Sequence, residues 1–245
     1  MKGFIDMHCH ILPGTDDGAK DIEEMKKMLE IAYREGIRCI VATPHCRPGK
    51  ERQDPEELKK KAACVQEAAN TFDEKFRIFL GTEIYFGQDV PKLLSEERIM
   101  TMGQGRYVLV EFSPLDTYEY IKQGLQQVQL AGYHVVLAHV ERYQCMTAHP
   151  ELAEALVEMG IFLQVNAGSI IGDSGRKVKK FMAALLEREL VFCVGTDAHS
   201  AGRRAPRMQK AAGYVRKKYG KEYTRRIFFS NARQMLRNTR QDGAK

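Results

Sequence analysis

The sequence predicts an α/β fold: a closed or nearly closed barrel of parallel strands, with its site on the rim at the strand C-terminal ends. Two observations carry this. Seven short apolar or β-branched runs alternate with helical patterns, the order that parallel βα units require. Nearly every run also ends in a polar cluster: Asp6-Met7-His8-Cys9-His10, Thr43-Pro44-His45, Gly81-Thr82-Glu83, Val110-Glu111, Ala138-His139 and Gly195-Thr196-Asp197-Ala198-His199. An open doubly wound sheet would gather such residues at one switch point. Donors from six strand ends fit a barrel rim.

The strands are expected over 3–7, 38–43, 76–81, 107–112, 134–139, 161–166 and 191–196. Their near-continuous apolar character suits a sheet covered on both faces. Between them, 21–35 carries Ile22, Met25, Leu29, Ala32 and Tyr33 at helical spacing, with Gly36 as the stop. Asp54-Pro55-Glu56-Glu57 reads as N-cap, N1 proline and acidic first turn, followed by the stripe Leu58, Ala62, Val65, Ala69, Phe72. Segments 118–131, 150–159, 176–189, 205–218 and 222–237 complete the helices, and Asn238 to Lys245 reads as a frayed tail.

Bulk properties fit one soluble domain over 1–245. Of 245 residues, 44% are hydrophobic and 29% charged, with a mean hydropathy of −0.40. No apolar run reaches the length of a membrane span and none resembles a signal peptide. The six cysteines form no C-x-x-C pair, so reduced thiols in a cytoplasmic protein are expected. Net charge is +6 but uneven: residues 202–240 hold thirteen Lys and Arg against one acid, while 1–201 hold 24 against 30. This basic helical segment could attract an anionic substrate, a membrane or nucleic acid, or simply be two solvated helix faces. No recognisable nucleic-acid reading motif accompanies it, and no nucleic-acid partner is expected.

His8 and His10, two apart on an extended strand end, can face the same side, and Asp197 and His199 repeat that spacing. His45, Glu83, Glu111 and His139 add one donor per strand, and Asp16-Asp17-Gly18 lies in the first loop. Several carboxylates converging on one rim would repel each other, and divalent cations remove that cost. Mixed imidazole and carboxylate ligation suits zinc, manganese or iron, whereas an all-oxygen site would suit magnesium or calcium.

Asp6-Met7-His8-Cys9-His10, Pro44-His45, Glu83, His139 and Asp197-Ala198-His199 resemble the PHP superfamily (polymerase and histidinol phosphatase). Asp16-Asp17-Gly18, Gly81-Thr82-Glu83-Ile84-Tyr85, Glu111-Phe112-Ser113, His139-Val140-Glu141-Arg142-Tyr143 and Gln164-Val165-Asn166 are similar to its bacterial CpsB/CapC-type tyrosine phosphatases. The resemblance spans residues 5 to about 207. It implies a distorted (β/α)7 TIM-like barrel, the PHP fold, with three divalent metals. One metal would take His8, His10, Glu83 and Asp197; a second, Glu83, Glu111 and His139; a third, Asp17, His45 and His199. Asp16, beside Asp17, is an alternative donor. Histidinol phosphatases have histidines where Asp17 and Glu111 stand, which favours the tyrosine phosphatase branch and manganese, with iron, zinc or magnesium as alternatives. Arg142 and Arg204 match the family's arginines and would grip the phosphate. The implied reaction is hydrolysis of phosphotyrosine in proteins by a metal-bound hydroxide. The implied substrate is the Tyr-rich tail of a bacterial tyrosine kinase that controls capsule or exopolysaccharide synthesis.

Alternatives are a histidinol phosphatase or other small-molecule phosphoesterase, and a non-catalytic nucleic-acid-binding module. A further one is a cysteine phosphatase, because His45-Cys46 and Arg52 fit the H-C-x5-R signature. Against the last, Pro48 removes a loop N–H, Glu51 would repel a dianion, and the other donor clusters stay unexplained.

Overall fold

The structure, a computed structural model, describes residues 3–49 and 54–241, with side chains through Arg237. Nine parallel strands occur among these residues: β1 Phe4–Cys9, β2 Ile37–Ala42, β3 His45–Cys46, β4 Arg77–Leu80, β5 Glu83–Tyr85, β6 Tyr107–Glu111, β7 His134–Leu137, β8 Phe162–Asn166 and β9 Val191–Gly195. They form sheets in the orders β1-β2-β4 and β3-β5-β6-β7-β8-β9.

Seven of the nine strands fall at the expected positions; β3 and β5 lie just past the expected ends at 43 and 81, where they continue β2 and β4. Backbone bonds carry the pairing across both breaks: Gly81 N–H to Ala42 O (2.9 Å) and Glu83 N–H to Pro44 O (3.0 Å). Pro44 has no N–H to give to a ladder, so the ribbon is interrupted there. Backbone bonds join the first strand to the segment after the last at the rim. There Asp197 N–H donates to His8 O (2.7 Å) and His10 N–H to Ala198 O (2.9 Å). Gly195 permits this approach, since a Cβ on it would lie 2.5 Å from the His8 Cβ.

Alternation along the strands builds two layers. Ile5, Met7, Val41, Leu109, Val136 and Cys193 fill the barrel interior, and Met235 and Leu236 of the last helix pack beneath them. The other face packs against helices Ile22–Arg34, Pro55–Asn70, Tyr118–Leu130, Pro150–Glu158 and Arg176–Glu187. The Asp54 cap and Pro55 start are as expected, with the Asp54 carboxylate accepting from Glu56 N–H at 2.9 Å.

Three helical expectations change. The segment from 205 becomes helical only at Gln209, because Ala205 and Pro206 form a turn and the Glu35 carboxylate accepts from the N–H groups of Met208 and Gln209. The helix expected over 222–237 is interrupted by a π-helical turn at Arg226–Ser230. Helix also extends to Gln241, past the expected start of fraying. Residues 242–245 lie outside the described residues, as do Arg52 and Glu51 of the thiol signature. No helix among the described residues is long and apolar enough to cross a membrane.

Candidate metal centre

A β-bulge aims the first two histidines. Asp6 pairs with Ile40 but Cys9 with Ala42, so β1 carries one extra residue over that interval. The extra residue reverses the side-chain alternation. Ile5 and Met7 point into the barrel below it, and His8 and His10 converge on the rim above it. His45 and Glu83 stand opposite each other in register on β3 and β5, and Glu111 ends β6. His139 and Asp197 follow β7 and β9 in left-handed backbone (φ 32° and 51°), a strained state that a side chain adopts at functional positions.

The side chains meet around Glu83. Its Oε2 lies 3.2 Å from His8 Nε2, 3.2 Å from His10 Nε2 and 3.0 Å from His45 Nδ1. Its Oε1 lies 2.7 Å from His139 Nε2. Asp197 Oδ1 stands 3.7 and 3.6 Å from the two Nε2 atoms of His8 and His10. Glu111 reaches His45 Nδ1 (3.2 Å) and His139 Nε2 (3.6 Å). Asp17 Oδ1 lies 3.3 Å from His45 Nε2 and 3.4 Å from His199 Nε2. Three donor groups could therefore hold divalent metals: His8-His10-Asp197, His45-Glu83-Glu111 and His10-Asp17-His45-His199.

Partners outside the centre fix the rings. Gln164 Oε1 faces His8 Nδ1 at 3.1 Å, Asp16 Oδ2 faces His10 Nδ1 at 2.7 Å, and the Asp197 carbonyl faces His199 Nδ1 at 3.0 Å. Each of these oxygens only accepts. The outer nitrogen therefore carries a proton and Nε2 is the nitrogen turned inward, where a metal would take the place of its proton, as metal-ligating histidines require. Asp16 also accepts from His45 N–H (3.0 Å) and Gly18 N–H (2.9 Å), so it supports the ligands while Asp17 joins the donors. Gln164 and Asn166 link His8 to Asp197: Gln164 Nε2 donates to Asn166 Oδ1 (2.9 Å), and Asn166 Nδ2 to Asp197 Oδ2 (3.0 Å). Asp6 accepts from Thr196 N–H (2.8 Å) and from His8 N–H (3.2 Å), bracing both strand ends. These supporting roles were missed because a polar residue in an apolar run does not reveal its partner. The parity of Gln164 and Asn166 within β8 was the available signal.

Arg142 and Arg204 both converge on Asp197. Arg142 Nη2 donates to Oδ2, and Arg204 Nη2 donates to Oδ1 at 2.9 Å. Their side chains are 40% and 41% exposed, so each keeps donors free to face the rim opening. Cys46 is different. It alternates with His45 on β3, is buried, and joins the outer apolar layer between strands and helices.

Electrostatics in the metal-free centre is one of compensation. Burial pushes the His10 imidazolium down, but Asp16 and Glu83 outweigh it and raise the pKa to about 9. His45 goes to about 10 and His139 to about 9, with burial again opposed by Glu111 and Glu83. His199 falls to about 4, through burial and the neighbouring His10. Burial opposes ionisation of Glu83, yet His8 and the surrounding rings hold it well below the usual range. Asp16 sits at about 2, where its bond to His10 overcomes burial. Cationic rings thus occupy the role that metal cations would fill.

Residues 4–237 match the family model for capsular polysaccharide synthesis, CpsB/CapC. The chain is 34% identical to the tyrosine-protein phosphatase CpsB of Streptococcus pneumoniae, covering 95% of this chain and 98% of that protein. It is also 34% identical to the tyrosine-protein phosphatase YwqE of Bacillus subtilis, over 96% of this chain and 92% of that one. A crystal structure from work on YwqE and CpsB, described as unique metal-dependent tyrosine phosphatases, superposes with a TM-score of 0.88 at 34% identity. That match covers 96% of this chain and 94% of the other.

Proposed function

The chain belongs to the CpsB/CapC family of capsular polysaccharide synthesis, and from that premise we propose that it is a metal-dependent protein-tyrosine phosphatase. The observation that carries this is the surroundings of Glu83. Its buried Oε2 makes no hydrogen bond, yet three imidazole nitrogens lie within 3.0–3.2 Å of it. An oxygen so placed is suited to a shared cation. The mixed imidazole and carboxylate donor set fits manganese, iron or zinc.

With Glu83 shared between groups, His139 drawn in by its 2.7 Å approach to Glu83 Oε1 and His45 assigned with Asp17, His8, His10, Glu83 and Asp197 would hold one metal, Glu83, Glu111 and His139 a second, and Asp17, His45 and His199 a third. The preferred metal is manganese. When bound, such ions make water acidic enough to act at neutral pH and neutralise phosphate charge.

The chain's own residues do the rest. Arg142 and Arg204, anchored on Asp197, would turn their free donors to the nonbridging phosphate oxygens and orient the group for in-line displacement. Asp16 and Gln164 hold the His10 and His8 rings so that nothing need reorganise during the reaction. Tyrosine's phenol, with a pKa near 10, leaves far more readily than an alkyl alcohol, so little acid assistance is required. No protein nucleophile is needed. The outward-packed Cys46 supports this.

The proposed substrate is phosphotyrosine on a cytoplasmic protein, specifically the Tyr-rich tail of a bacterial tyrosine kinase governing capsule synthesis. One barrel domain would carry the whole activity. The test is turnover of a phosphotyrosine peptide, beside a phosphoserine peptide and histidinol phosphate, before and after chelation. The expected result is phosphotyrosine turnover that EDTA abolishes and Mn²⁺ restores, with the other two substrates turned over far more slowly. EDTA-resistant turnover would overturn the metal role, and preference for histidinol phosphate would overturn the substrate.

A further inference from the structure

Just beyond the donors, one residue pair has no part in holding them. β3 and β5 pair His45 with Glu83 and Cys46 with Ile84, so the same register sets Arg47 opposite Tyr85. The Arg47 guanidinium stands 5.9 Å from the Tyr85 ring centroid. Tyr85 also lies opposite Glu111 in the β5–β6 register.

Alternation puts Tyr85 on the same strand face as Glu83, two residues further on, while Ile84 between them is buried in the outer layer. Two residues of strand rise about 6–7 Å. Tyr85 therefore stands one step above the carboxylate centre, opposite Glu111, and as a residue it is 37% exposed, one of the few large hydrophobic residues left exposed among the described residues. A buried core role would not leave it there.

We infer that the Tyr85 ring, held by Arg47, is the wall of an aryl subsite that selects phosphate esters of phenols. This rests on the phosphatase reading above. In an aryl phosphate a single ester oxygen joins phosphorus to the ring. A phosphate held over the metal-loaded centre by Arg142 and Arg204 would direct its ring away from the carboxylates, toward the level at which Tyr85 stands. Offset or edge-to-face packing of the two rings favours an aryl group over an alkyl one. Arg47, 5.9 Å from the ring centroid, would steady the ring through a cation–π contact. An alkyl phosphate makes the same phosphate contacts but leaves the Tyr85 face wet. Arg47 and Tyr85 are positioning and specificity residues here, with no share in bond breaking.

The experiment uses two nonhydrolysable probes on the metal-loaded protein, phenylphosphonate and methylphosphonate, as competitive inhibitors and by calorimetry. Wild type should bind the phenyl compound more tightly. Tyr85→Ala should cut that preference about fivefold to tenfold, the scale of one lost aromatic contact. Tyr85→Phe should keep it, and Arg47→Ala should lose part of it. In turnover of a phosphotyrosine peptide, Tyr85→Ala should raise KM more than it lowers kcat, with metal content unchanged. A Tyr85→Ala protein that keeps the full phenyl preference overturns the subsite, as does a wild type that binds both probes equally. A wild type that binds neither probe and leaves phosphotyrosine intact overturns the phosphatase reading, and the subsite with it. Phosphotyrosine turnover by wild type therefore separates the two failures.

Discussion

Asp16 and Asp17 are neighbours with different tasks, and paired substitutions can separate them. The Asp16 carboxylate accepts three bonds: His10 Nδ1 at 2.7 Å, His45 N–H at 3.0 Å and Gly18 N–H at 2.9 Å. Asp16→Asn keeps the size and one oxygen. With that oxygen toward Gly18, an NH₂ group faces two donors; flipped, it faces the Gly18 N–H. In the first case His10 must move its proton to Nε2 and lose its inward lone pair. Loss of such an outer partner costs about 10–100-fold in metal affinity, or roughly 1.4–2.7 kcal/mol. Asp17 reaches the centre from an exposed position, with its oxygen 3.3 and 3.4 Å from His45 and His199 Nε2. Asp17→Asn should remove one metal equivalent and leave the others bound. Asp16→Asn should keep full stoichiometry at saturating metal but release it to a competing chelator at 10–100-fold lower chelator concentration. Elemental analysis with a fluorescent-chelator titration reads both quantities, and circular dichroism checks the fold. If Asp16→Asn loses a full equivalent while Asp17→Asn binds metal like wild type, the assignment is reversed and the reasoning fails.

Arg142→Ala and Arg204→Ala should each lower kcat/KM for a phosphotyrosine peptide by about 10²-fold, the scale of one transition-state donor, with metal content retained; near wild-type kinetics in either would remove that residue from the phosphate contact. Cys46→Ser should retain most activity and His139→Ala should lose orders of magnitude, measured with and without EDTA; a dead Cys46→Ser with intact metals would revive the thiol mechanism. The chelated protein should lose thermal stability on the alkaline side. His10, His45 and His139 are raised to about 9, 10 and 9 in the folded state. Their contribution is complete below the unfolded pKa near 6.5 and fades as pH rises through 9–10. His199, lowered to about 4, works the other way, one ring against three. Thermal midpoints at pH 6, 7.5 and 9 should decline for chelated protein and hold for Mn²⁺-loaded protein, whose rings are already deprotonated; parallel profiles would contradict this.

The candidate donor set was legible because chemistry and periodicity coincide at strand ends. His45, Glu83 and Glu111 lie where the alternation of their strands delivers them to the interior face. His8 and His10 reach the same place only through the bulge in β1, and His139 and Asp197 through left-handed backbone. Neither device leaves a mark on a single sequence, since a bulge depends on the neighbouring strand and positive φ is imposed by packing. The short strands β3 and β5, just past the breaks at Thr43-Pro44 and Gly81-Thr82, were likewise not expected, since two or three residues carry no periodicity of their own. The support from Asp16, Gln164 and Asn166 depends on distances across the fold, which spacing cannot encode. The late start of the helix at Gln209 has the same origin: its capping carboxylate, Glu35, comes from the other end of the chain.

The seam between β1 and the end of β9 has a consequence for how the protein comes into being. The amides that close the barrel, those of His10 and Asp197, belong to two of the proposed ligands, and the joined segments are far apart in sequence, with Cys9 and Ala198 separated by 189 positions. On the ribosome, the histidines at the start emerge long before Asp197 exists. A metal ion met early finds an incomplete nest and has only short-lived partners. The full donor set exists only once the ring has closed, a contact that long loop search makes slow to reach.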